Sequence, residues 1–142
     1  MTGPAIALSI LTILCWGAGA FFDKLSLIYL PPKAVFFARL YLAFILLLVP
    51  MAMAWEETRL AVWNVDKRVI ACLLGTVGFT YAGMYAYYHA LNLSGASRII
   101  PFCGIYPLVA FLMAVILLKE PVAWSHILGT VLVAAGAVLL GR

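Results

Sequence analysis

Long apolar runs alternate with short polar clusters along the chain. No charged side chain occurs in residues 1–22, 40–55, 69–97, 99–118 or 121–141. Each run can cover a hydrocarbon slab of roughly 30 Å at about 1.5 Å per helical residue, provided the second starts at Pro32 and takes in Arg39. The pattern therefore predicts an all-α integral membrane protein with five transmembrane helices, over about 4–22, 32–55, 69–91, 98–118 and 122–140. The first has room to continue past Asp23 and Lys24 toward Tyr29.

The polar clusters supply the expected turns. Pro31 and Pro32 suit a helix start, where a missing N–H has no partner to lose. Trp55 with Glu56 and Glu57 marks the far end of the second helix, and Trp63 stands across a connecting loop at the other edge of an interfacial belt. Asn64 and Asp66 are the N-cap candidates for the third helix. Gly95 is positioned to end it in the left-handed conformation, and Ser97 to cap the fourth. In "KEP", Lys119 complements the carboxyl end of one helix, Glu120 the amino end of the next, and Pro121 fits its first turn.

Composition agrees with lipid as the solvent. The 142 residues are 67% apolar and 10% charged, more apolar surface than a soluble domain of this size could hide. Ala18-Gly19-Ala20 resembles a signal-peptidase site, but no Lys or Arg precedes the first run and four more spans follow, so a retained helix is expected. Cys15, Cys72 and Cys103 are odd in number and lie inside apolar runs, which argues against a disulfide framework. No Cys/His spacing points to a metal, and nothing calls for a cofactor. Net charge is +4, yet the cations are scattered singly between spans, where lipid headgroups rather than nucleic acid would meet them.

Five spans put the two termini on opposite sides. One side then holds Arg59, Lys67, Arg68 and Lys119, and the other Lys24, Lys33, Arg98 and Arg142, four cations against four, with Arg39 in between. An even balance gives no strong preference for orientation. Many transporters enclose their site between two inverted repeats, and two copies of this chain inserted in opposite senses would reproduce that plan as a homodimer, possible in antiparallel form. Small residues at Gly78, Ala82, Ala86 and Ala90, and at Gly129 and Gly136, form stripes where another backbone can come close, within one subunit or between two.

With Trp16, Gly17 and Lys24 in the first helix, Arg39 in the second, Pro107 and Glu120 further on, and Gly129 and Gly136 in the last, nearly the whole chain resembles one repeat of the drug/metabolite transporter superfamily, the EamA-type domain in its five-helix bacterial and archaeal form. "CWGAGAFFDK" is similar to that family's first-helix pattern at Trp16, Gly17 and Lys24, and Arg39 falls on the arginine of its second helix. "YYHALNLSGASRIIPFCGIYPLVAFLMAVILLKEP" resembles its third and fourth helices, with Pro107 and Glu120 at characteristic positions. "HILGTVLVAAGAVLLG" is similar to its last helix, matching at Gly129 and Gly136. The resemblance implies export or exchange of small solutes without an enzymatic step, in the cell (inner) membrane. It also implies a half that pairs with a second repeat. No Asp or Glu lies deep within a span, which departs from the small multidrug resistance branch and from proton-coupled export through an intramembrane carboxylate.

The candidate substrate pathway consists of Arg39, Tyr81, Tyr85, Pro107, Trp16 and His89. Arg39 lies about 10 Å along the axis from Pro32, so its stem can reach headgroups, a neighbouring helix or an anionic group of solute. Pro107 cannot donate to the carbonyl of Cys103 and has Gly104 nearby, the signature of an interrupted helix at the midplane. Tyr81, Tyr85 and Tyr88 share a face, with His89 one turn beyond Tyr85. Tyr88, His89 and His126 are expected near the interface. Trp16 serves packing or solute stacking, while Lys24 with Asp23 marks the edge of the hydrocarbon. Two other functions compete with a dimeric solute transporter: a lipid-linked headgroup flippase subunit needing a different partner chain, and a structural membrane subunit.

Overall fold

A computed structural model describes residues 3–63 and 65–141. The described residues form helices without strands. In chain order these are α1 (Gly3–Tyr29), α2 (Pro32–Met53), α3 (Trp55–Trp63), α4 (Lys67–Leu93), α5 (Ala96–Cys103), α6 (Tyr106–Leu117) and α7 (Trp124–Gly141). By contacts they divide into two units, residues 25–89 and residues 1–24 with 90–142.

Four stretches are long and apolar enough to span a membrane: α1, α2, α4, and α5 with α6 taken together. The apolar α7 is shorter, 18 residues and so roughly 27 Å, close to the thickness of the hydrocarbon. The buried core is small: Leu27, Val35, Phe36 and Tyr88 in one unit, Leu91 and Ala137 in the other. Large apolar side chains such as Leu46, Phe79 and Leu132 point outward. Such a surface is stable against lipid, where helices satisfy their own backbone groups.

In residues 25–89, Pro32 opens α2 with Pro31 as its extended N-cap. The segment expected to be a loop after the second span is helical. Ala54 breaks the backbone, and α3 follows with Glu56 and Glu57 in its first turn, where carboxylates complement the helix dipole. Arg59 closes an ion pair with Glu56 at 2.9 Å, one turn apart. Local charge pairing makes a helix of residues that looked like a polar connection. At the start of α4, the Asp66 carboxylate accepts the Arg68 N–H at 3.0 Å, a side-chain cap. Asn64, the other N-cap candidate, lies outside the described residues.

In the other unit the expected fourth helix is two helices. α5 ends at Cys103, Gly104 and Ile105 turn, and α6 begins at Tyr106. Pro107 therefore sits in the first turn of α6, where its lack of an N–H costs little, and not in the middle of a helix. An added Cβ at Gly104 would lie 3.0 Å from the Pro101 carbonyl oxygen, so the turn is tight at that position. Gly95 is not left-handed. Its φ of −67° and ψ of 143° make it the extended N-cap of α5, and Ser97 falls inside the helix it was expected to cap. Before α7, Lys119 takes the left-handed conformation at φ 53°, and Pro121 stays in the connection three residues short of Trp124. The connection is longer than "KEP" alone suggests, because α6 stops at Leu117 and α7 starts only at Trp124.

Candidate functional site

Two groups of polar and aromatic side chains stand out, one in each unit. In residues 25–89, Arg39 on α2 donates from Nη1 to the Tyr88 hydroxyl on α4 at 2.7 Å. Phe36, one turn before Arg39, meets Tyr85 and Tyr88 edge-on, with ring centroids 5.3 and 6.3 Å away. The Tyr85 ring lies 4.7 Å from that of His89. The spacing of α4 makes this possible, because residues three and four apart stack along one face. Tyr88 is fully buried. Packing against α2 at Phe36, together with a phenol engaged by a cation, accounts for that burial.

The structure thus brings Arg39, Tyr85 and His89 together. Tyr81 lies one turn before Tyr85 on α4 and is 43% exposed. Gly78, Ala82 and Ala86 lie exposed along α4. A Cβ added at Gly78, Gly129 or Gly136 would meet nothing within 4 Å.

In residues 1–24 with 90–142, Trp16 on α1 stands 6.4 Å from Tyr106, the first residue of α6. The tryptophan so borders the α5/α6 break. Tyr106 was not among the sequence candidates, although its position between Gly104 and Pro107 marks it. Pro107 lines an open groove of about 560 Å³ along α6 and α7, together with Phe111, Glu120, His126 and Gly129. The Phe111 and His126 rings are 6.5 Å apart and perpendicular, and both line the groove.

Lys24 has a more specific place than the edge of the hydrocarbon. Its Nζ donates to the carbonyl oxygens of Leu91 at 2.7 Å and Ser94 at 3.2 Å, the open carboxyl end of α4. Carbonyls there have no intrahelical donors, and a cation also complements the dipole. A Lys24→Met protein is expected to lose roughly 1.5 kcal/mol of stability, the scale of a charge-assisted hydrogen bond. Thermal unfolding in detergent checks this, and an unchanged midpoint would refute the capping role.

The model of the EamA-like transporter family matches residues 3–142. The chain belongs to that family. No curated protein and no solved structure matches it. Family membership and outward-facing apolar helices together make this EamA-like chain a multipass membrane protein of transporter type. Among its described residues, no three His, Cys, Asp or Glu side chains converge as metal ligands.

Proposed function

We propose that this EamA-like chain exports or exchanges small metabolites or related solutes across the cell (inner) membrane, as a dimer working by alternating access. The observation that carries the reading is Arg39: a guanidinium within a span, held by Tyr88 beside the Phe36, Tyr85 and His89 rings. Charged side chains in spans are costly and typically mark solute pathways. The ring cluster offers π-faces and hydroxyls to a solute that carries an anionic group. Tyr81, one turn before Tyr85 on α4, is proposed to line the same pathway, with no catalytic residue and no cofactor. The dimer is supported by the even Lys/Arg balance and by the exposed small-residue stripe at Gly78, Ala82 and Ala86.

Purified protein in detergent is expected to be stabilised against heat by at least one anionic member of a broad metabolite panel, by about 2.7 kcal/mol at a hundredfold excess over Kd. The same solute should exchange across proteoliposomes. Absence of both effects throughout the panel would favour a structural subunit. Reporters fused to the C-terminus should be found on both sides of the membrane for an antiparallel homodimer, and a one-sided result rejects that arrangement.

A further inference from the structure

The groove along α6 and α7 has a polar mouth and an apolar floor, and its dimensions identify an occupant. On α6 its lining runs from Pro107 to Val115, and on α7 from Ser125 to Val133. Each stretch is about 12 Å long at roughly 1.5 Å per residue, close to the depth of one leaflet, about half of a 30 Å hydrocarbon slab. The mouth is at the connection between the helices, where Glu120 and Ser125 belong to the lining and Trp124 starts α7, 72% exposed. A tryptophan at a span's end sits at headgroup level, so the mouth lies where lipid headgroups lie.

Below the mouth the lining is Leu108, Phe111, Thr130 and Val133, mostly apolar, with Gly129 opening space that any other residue would fill. A soluble polar metabolite gains little from such a floor, whereas an acyl chain finds it continuous with its own leaflet. The one formally charged side chain in the lining is the Glu120 carboxylate, which attracts an ammonium and repels an anionic headgroup. We infer that this groove is a binding site for one phospholipid with an amine-bearing headgroup, its ammonium on Glu120 and one acyl chain laid along α6 and α7 as far as Pro107.

The test uses the full chain in vesicles of equimolar phosphatidylethanolamine and phosphatidylglycerol, doped in turn with either lipid carrying a photoactivatable acyl chain. Peptides containing residues 107–115 and 125–133 are expected to be labelled by the ethanolamine probe about threefold more than by the glycerol probe, the scale of one exposed ion pair. Glu120→Gln should remove that preference while acyl labelling persists. Gly129→Leu should remove groove labelling by both probes, and it has the room and the helix propensity to fold. Equal labelling of the parent by both probes, or undiminished labelling of Gly129→Leu, overturns the proposal. Displacement of the probe by a soluble amine, or disulfide formation between two Gly129→Cys chains in place of labelling, overturns it as well, assigning the groove to a solute or to a second copy.

Discussion

A Tyr88→Ala protein is expected to lose about 3–5 kcal/mol of stability, the usual cost of removing a large buried ring. Tyr88 is 0% exposed and is the largest fully buried side chain in a core with few members. Removing it opens space against Phe36 and takes away the hydroxyl that receives the Arg39 guanidinium. Since folded proteins are stable by only about 5–15 kcal/mol, this single change would approach the limit of folding. Tyr88→Phe separates the two contributions. It keeps the edge-on packing and loses only the phenol, so roughly 1.5–3 kcal/mol is expected, the worth of a hydrogen bond to a charged group. Denaturant unfolding in micelles measures both. An Ala variant as stable as the parent would show that the α2/α4 contact is not a source of stability.

The legibility of the fold in the sequence follows from which interactions are local. Spans were readable because hydrocarbon tolerates few charges, so gaps in the charge pattern mark helices directly. The α3 helix was not, because its Glu56, Glu57 and Arg59 look the same in a solvated loop and in a short helix paired at i, i+3. Gly104 and Pro107 pointed to an interruption, yet the placement of the break before Tyr106 depends on backbone turns that a residue pattern does not rank. Gly95 shows the same ambiguity from the other side. A glycine between two helices can end one or begin the next, and here it begins α5 in extended geometry.

Site residues were legible as types and less so as partners. Helical spacing puts Tyr81, Tyr85 and Tyr88 on one face, but it does not show which of them another helix covers. The burial of Tyr88 comes from Phe36, 52 positions earlier in the chain on another helix. Lys24 is marked in the sequence by its charge and by the first-helix resemblance, but not by its partners, since its acceptor carbonyls lie 67 and 70 residues away. Neither contact leaves a periodic trace. The His126 and Phe111 pairing likewise joins two helices across the α6/α7 connection.

Arg39→Lys is expected to leave the fold nearly intact and to lower transport roughly 10- to 100-fold. The reasoning rests on the shape of the guanidinium. Its planar fork presents five donors in a fixed geometry, and Tyr88 engages Nη1 at 2.7 Å. A lysine keeps the charge, and its ammonium can still serve the Tyr88 hydroxyl, but it is a compact point charge without that bidentate geometry. Losing one charge-assisted bond to the solute, about 1.5–3 kcal/mol, corresponds to the stated range at about 1.4 kcal/mol per factor of ten. Arg39→Met removes charge and donors together, so it should abolish exchange and also lower the unfolding midpoint by taking away the charge-assisted bond to the Tyr88 hydroxyl. Initial exchange rates in proteoliposomes, set beside thermal midpoints of the same preparations, separate the two effects. If the lysine variant exchanges at the parent rate, then Arg39 anchors α2 to α4 through Tyr88 and takes no part in holding the solute.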